Sequence, residues 1–253
     1  MNPVENRNLD TWMRDLFEDL GKRSSRVARP SKKVAIISTP RSGSTFFCES
    51  LSGTGRFGEP REWLNPRQVG AFARYSGQKV IKLQEYLKFV MERTTTANGV
   101  FSINFHVDHF IYWKKRKYDP FSLGFDRVFY IYRRDKLAQS YSFAKARVTD
   151  QWFSLVEPVR KVDPIEISNS KILNALALQC NWEDVYARHI RHHVHESYCY
   201  EEVMANPDDH FRSVLAACGI EHLDIEKFHS GLDVQRQDGD IARLKDLKKY
   251  LGL

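Results

Sequence analysis

Between residues 8 and 21, Leu9, Trp12, Met13, Leu16, Phe17 and Leu20 recur at helical spacing, with Asp10, Asp15, Glu18 and Asp19 on the opposite face. This pattern predicts an amphipathic helix that stops at Gly21. It suits a helix docked on its own domain, with a dimer contact as the alternative, and its acidic polar side suits a membrane surface poorly. A basic run follows (Lys22, Arg23, Arg26, Arg29, Lys32, Lys33) and leads into a short apolar strand, Val34 to Thr39. Further helices are predicted over about 44–53, 66–76, 84–96, 135–148, 169–191, 206–217 and 241–251. Strands are predicted over 100–107, 126–132 and 194–200. Val128 to Tyr132 is a continuous apolar run, as expected of a strand buried on both faces. Asn206-Pro207 reads as a helix start and Gly219 as a stop. Strands separated by helices imply an α/β fold with a central, mainly parallel sheet and right-handed crossovers.

The chain has 253 residues, 42% of them hydrophobic and 13% aromatic, enough for a single domain with a sizeable core. The natural division is an N-terminal helix and basic linker over 1–33 and one domain over 34–253. Cys48, Cys180, Cys199 and Cys218 lack metal-ligand spacing, and Cys180 and Cys218 fall in apolar helical runs that suggest packed thiols. A reducing, cytoplasmic setting without a disulfide framework is expected. Lys and Arg outnumber Asp and Glu by 39 to 32, a formal charge of +7. That excess suits an anionic ligand; no nucleic-acid-binding motif is present, so nucleic acid is not an expected partner. No apolar stretch is long enough for a membrane span, and the N-terminus lacks the apolar core of a signal peptide.

The chemistry concentrates where the first strand ends. Val34-Ala-Ile-Ile-Ser-Thr39 runs into Pro40-Arg41-Ser42-Gly43-Ser44-Thr45 and then into a helix start. A strand, a tight turn and a helix N-terminus aim several backbone N–H groups at one point, which binds an anion, usually phosphate. A Walker-A loop would read GxxxxGK[ST]. Here the cation, Arg41, precedes the glycine and the loop is shorter. A second anion clamp is suggested one crossover later, by Arg133 and Arg134 at a strand end and Ser142 about two turns into the next helix. His189, His192, His193 and His195 invite a metal reading, but Arg188 and Arg191 interrupt them, and a solvated basic helix end is the simpler account. Trp63, Tyr75 and Trp152 are candidates to stack on a sugar, with core packing the alternative.

The stretch Ser38 to Trp63, with TPRSGST, ESL, TG and GEPREW, resembles the bacterial carbohydrate sulfotransferases of the trehalose sulfotransferase type. So does Tyr132 to Trp152, with RRDKLAQSYSFAKARVTDQW. The resemblance implies a P-loop NTPase-like three-layer fold and transfer of a sulfuryl group from 3′-phosphoadenosine-5′-phosphosulfate to a hydroxyl of a carbohydrate or glycolipid, without a metal. It implies that Arg41, Ser42, Gly43, Ser44 and Thr45 hold the 5′-phosphosulfate, and that Ser142 with Arg133 or Arg134 holds the 3′-phosphate. Arg236, in a late polar loop, is a further candidate for that phosphate. Glu62 matches the general base, and Glu59 matches a residue lining the acceptor site, with Trp63 beside them. A carboxylate within reach of a sugar hydroxyl takes its proton as the new O–S bond forms, while Arg41 and the loop amides stabilise charge on the leaving phosphate.

The chain departs from this pattern in one place. Family members commonly carry a lysine near position 104 in a strand reading like GxKxxW; here the sequence is Ser102-Ile103-Asn104-Phe105-His106-Val107. Asn104 supplies no positive charge. Cytosolic sulfotransferases use a histidine two residues after such a lysine as base, so His106 is a second base candidate. Asp108 and His109 are weaker versions of the same idea. The rival readings are a P-loop kinase, which the absent GK[ST] disfavours, and a non-catalytic donor-binding protein, which Asn104 motivates. A homodimer is compatible with the first helix.

Overall fold

The computed structural model describes residues 8–24, 29–153, 158–220 and 238–252. In chain order its elements are α1 (Leu9–Lys22), β1 (Lys32–Ser38), α2 (Ser44–Ser52), α3 (Pro66–Ser76), α4 (Leu83–Thr94), β2 (Val100–His106), α5 (Val107–Lys115), β3 (Arg127–Tyr132), α6 (Lys136–Thr149), α7 (Asn169–His189), β4 (Glu196–Cys199), α8 (Tyr200–Ala205), α9 (Pro207–Ala217) and α10 (Asp238–Tyr250). The strands form one sheet in the order β2-β1-β3-β4, and every neighbouring pair is parallel. Helices cover both faces, as the strand–helix alternation predicts.

Alternation along the central strands builds the layers. Ala35 and Ile37 of β1, Phe101, Ile103 and Phe105 of β2, and Val128 and Tyr130 of β3 join one core. Val34, Ile36, Phe129 and Ile131 join a second core with Phe47 and Leu51 of α2 and Phe211 and Val214 of α9. On β2, Ser102, Asn104 and His106 take the second face, so the edge strand presents a buried polar row there. Helix α1 packs Met13, Leu16, Phe17 and Leu20 into the first core, with Phe17 against Phe72 and Tyr86. Apolar burial on that scale accounts for docking, since each fully buried large side chain stabilises by about 1.5–3 kcal/mol.

Two details differ from the sequence expectation. Helix α5 starts directly at the end of β2, where no Gly or Pro breaks the run. His106 caps it: the His106 N–H donates to His109 Nδ1 at 3.2 Å, and the His106 side chain faces the His109 amide in return. Cys180 is exposed, whereas Cys48, Cys199 and Cys218 are buried. Among the described residues no helix is long and apolar enough to cross a membrane.

Candidate functional site

The C-terminal ends of β1, β2 and β3 open onto a cavity of about 1300 Å³. Crevices at the carboxyl ends of parallel strands are where such sheets bind ligands. At its floor β1 gives way to Pro40 and Arg41, and Arg41 takes a left-handed conformation (φ 66°) that is uncommon for a side chain other than glycine. Gly43 follows at φ 90°, and a Cβ there would run into the Tyr200 ring. Only glycine allows this loop to press against α8. The first helical bond of α2 runs from Phe47 N to Gly43 O at 3.1 Å, so the amides of Ser44, Thr45 and Phe46 precede the helical ladder. Two buried glutamines fasten the loop from behind. Gln139 donates to Thr39 Oγ1 (2.8 Å) and to the Pro40 carbonyl (2.9 Å), and Gln179 donates to the same carbonyl (3.0 Å).

Arg41 reaches across the cavity floor. Its Nε donates to Ser142 Oγ at 2.9 Å and its Nη1 to the Trp152 carbonyl. Burial and the nearby Arg133 lower the Arg41 pKa, while Glu62 opposes them. Arg133 is almost fully buried and lines the cavity, with its guanidinium 5.1 Å from the Tyr200 ring centroid. Arg134 is exposed and pairs with Glu202, outside the cavity wall. Of the neighbouring arginines, Arg133 is therefore the one that shares the cavity wall with Arg41 and Ser142. The turn that carries it is anchored by Glu201, whose carboxylate accepts from the amides of Arg134 (3.0 Å) and Asp135 (3.0 Å). Burial alone would raise the Glu201 pKa, but these amides and the Cys199 thiol bring it down to about 2.

Glu62 reaches the same cavity because its turn is added to the sheet edge. Arg61 bridges Ile103 of β2, and the Asn104 amide donates to the Arg61 carbonyl at 2.9 Å. Gly58 permits the approach: a Cβ there would lie 2.6 Å from Ser102 Oγ and 2.8 Å from its amide nitrogen. The Glu62 carboxylate accepts from Asn65 Nδ2 at 2.7 Å and lies 3.7 Å from His106 Nε2 and 3.9 Å from His109 Nε2. Burial would raise its pKa, yet His106, His109, Asn65 and Arg41 outweigh burial and hold it below the usual carboxylate value.

The His106–His109 cap fixes more than a helix start. His109 Nδ1 accepts a backbone proton, so in neutral His109 the ring proton sits on Nε2. His106 Nε2 lies 3.4 Å from Ser44 Oγ and faces Glu62, which leaves its Nδ1 for the cap and puts its proton on Nε2 as well. Both imidazoles then present N–H toward Glu62. In that tautomer His106 faces Glu62 as a donor. The tautomer also bears on metal binding. Glu62, His106 and His109 are close enough together to hold a cation, but in this tautomeric state neither Nε2 offers a lone pair.

Other expected site residues stand elsewhere. Trp63 is fully buried and donates from its indole to the Glu59 carbonyl at 2.9 Å, so it is a core residue and not a sugar platform. Glu59 lies off the cavity wall and is engaged by Arg23 and, at 3.8 Å, by Arg61. Ser42 is fully buried and also off the wall, which leaves it only its backbone to offer an anion. Arg236 lies outside the described residues. Tyr75 packs with Phe17, Phe72 and Phe89, while Trp152 does line the cavity. The histidines after α7 serve packing and pairing: His193 stacks on Phe121 with centroids 3.8 Å apart, and His195 Nδ1 accepts from the Val128 amide. Asn104 sits in the wall, buried, and its Oδ1 has no hydrogen-bond partner among the described residues. Sequence reasoning missed the structural parts of Gln139, Gln179 and Tyr200. The only signal for the glutamines was an amide on the apolar side of each helix.

The loop after β1 with Arg41, the residues Arg133 and Ser142, and the half-buried Glu62 carboxylate thus meet in one cavity at the carboxyl edge of a parallel α/β sheet, an arrangement suited to binding an anion and transferring a group. The family model described as Stf0 sulphotransferase matches residues 34–239. The chain belongs to that family, and membership supports sulfotransferase activity. Among solved structures, the sulfotransferase domain from the curacin biosynthetic pathway aligns at a TM-score of 0.46 and 12% identity, covering 88% of this chain and 98% of that one. A search of curated protein sequences found no match.

Proposed function

We propose that this sulfotransferase moves the sulfuryl group of 3′-phosphoadenosine-5′-phosphosulfate to a hydroxyl of a carbohydrate or glycolipid. The observation that carries the proposal is the convergence of Arg41, Ser142 and Glu62 on one cavity, with Arg41 in direct contact with Ser142. The residues fit the donor's chemistry. Gly43, Ser44 and Thr45 present loop and helix amides, with hydroxyls, to the 5′-phosphosulfate, and Arg41 supplies the cation. Ser142 and Arg133 meet the 3′-phosphate. When donor binds, its phosphates take over the contact that Arg41 now makes with Ser142.

Glu62 is the base in this reading. It is ionised at neutral pH, and the N–H groups of His106 and His109 and the Asn65 amide orient it. As the acceptor oxygen attacks sulfur, Glu62 takes the hydroxyl proton, the S–O bond to the 5′-phosphate breaks, and the charge left on that phosphate falls to Arg41 and the α2 amides. A positioned base of this kind contributes about 10²–10⁴-fold. Asn104 contributes no charge, so Arg41 and the amides carry the leaving-group charge. The test is incubation with donor labelled in its sulfate and a panel of mono-, di- and lipid-linked saccharides. Label should move to at least one saccharide. Stabilisation by ATP with Mg²⁺ in preference to adenosine 3′,5′-bisphosphate, with no label moving, would refute the proposal. Bisphosphate binding without transfer to any acceptor would favour a donor-binding protein, the reading that Asn104 motivates.

A further inference from the structure

The cavity wall is built partly by α1, which precedes the residues matched by the family model. Leu9, Trp12 and Met13 line the cavity there, and Phe153 joins them from the segment after α6. Trp12 and Phe153 pack edge to face, with centroids 4.9 Å apart at 67°, and both remain partly exposed. The Arg61 guanidinium lies 5.5 Å from the Trp12 ring centroid. Each contact ties the pair to the reaction centre. Arg61 precedes Glu62, and Phe153 follows Trp152, whose carbonyl takes the Arg41 guanidinium. The aromatic pair therefore sits between the turn that carries Arg61 and Glu62 and the segment whose Trp152 carbonyl holds Arg41.

Apolar surface there does nothing for the donor's phosphates, which meet Arg41, Arg133, Ser142 and the α2 amides. It serves a group that enters with the acceptor. The wall also holds Asn104, whose Oδ1 has no hydrogen-bond partner among the described residues and is chemically able to accept from a hydroxyl. The acceptor side thus pairs a polar end at Glu62 and Asn104 with an apolar end at Trp12 and Phe153. Resting on the sulfuryl-transfer reading above, we propose that Trp12 and Phe153 form a subsite for an apolar group attached to the acceptor sugar, an alkyl or acyl chain as in a glycolipid. A free sugar would leave this subsite unfilled. Helix α1 is well placed to hold it, since its core residues and the Arg23–Glu59 pair tie it to the same turn that carries Glu62.

Calorimetric titration of the protein saturated with adenosine 3′,5′-bisphosphate, using methyl and hexyl β-glucoside, tests this without requiring turnover. The hexyl glucoside should bind about tenfold more tightly or better, the effect of burying about two methylenes. Trp12→Ala should bring the ratio of the two affinities close to one, and Trp12→Phe should retain most of it; thermal melts establish that each variant is folded. Equal affinities in the wild type, or no binding of either glucoside, would overturn the proposal. So would a Trp12→Ala protein that loses bisphosphate affinity as much as hexyl glucoside affinity, which would assign the pair to the adenine ring. Failure of sulfate transfer despite the predicted binding ratio would count against the transferase reading and leave the subsite intact.

Discussion

At the scale of single residues, Glu62 is charged and aimed by its neighbours. Its partners, and not its own exposure, set its state: burial raises its pKa, and His106, His109, Asn65 and Arg41 bring it back below the usual carboxylate value. The acid limb of kcat/KM should therefore fall at a pH below the ordinary Glu range. Removing the Asn65 amide (Asn65→Ala) should move that limb upward, because a hydrogen bond to the ionised form is lost. An unchanged limb, measured from rate profiles of both proteins, would mean that the base is another group. In the proposed mechanism His109 acts through Glu62. His109→Gln keeps a donor on the ring's side of the site and should retain more activity than His109→Leu, with the acid limb shifted upward only in the leucine variant. Zinc at micromolar concentration should not raise the melting temperature, since the cap directs both Nδ1 atoms to backbone amides; a clear rise would show that the imidazoles can turn over to bind it.

At the scale of elements, the loops that hold the cradle are braced by buried polar contacts. Glu201 is the clearest case. Its pKa is depressed to about 2 against an ordinary value of 4.5. Its contribution is thus present above the ordinary value and is lost as pH falls toward 2. Glu201→Gln should cost about 2 kcal/mol at neutral pH, as for a charged hydrogen bond. The difference from wild type should shrink in the acid, and denaturant melts across that range would reveal it; a constant difference would refute the linkage. How much of this was legible in the sequence follows from how local each signal is. The strand-turn-helix at 34–52, the apolar run of β3 and the Ser142 helix are written in adjacent residues, and the sequence reading recovers them. Helix α5 was hidden, because its boundary is made by a pair of histidines capping one another and not by Gly or Pro. Glu59 read as a site residue from the family resemblance, and Trp63 as an aromatic able to stack on a sugar. Their orientation depends on how the 58–63 turn lies along β2, a contact forty residues away in sequence that local pattern does not contain. The outward placement of Arg134 likewise depends on Glu201 and Glu202, which arrive from beyond β4.

At the scale of the whole molecule, the family-matched residues 34–239 include Arg41, Glu62, Arg133 and Ser142, while α1 and most of α10 flank them in sequence. Both flanking helices line the cavity, α10 with Ile241, Leu244, Lys245 and Lys248, and α10 is tied down where Asp240 accepts from Tyr141 (2.6 Å) and Lys145 (2.8 Å). Asp240→Asn should weaken bisphosphate binding severalfold by loosening α10 over Lys145 and Ser142, read by calorimetry, and leave the sheet's thermal transition nearly unchanged. The central claim is that Glu62 takes the acceptor's proton while a separate cradle holds the donor. Single-turnover sulfate transfer and bisphosphate affinity, measured on the same preparations of wild type and Glu62→Gln, test it most directly. The account predicts a loss of transfer of about 10²-fold or more with bisphosphate affinity retained within about twofold; transfer at the wild-type rate in Glu62→Gln would contradict it.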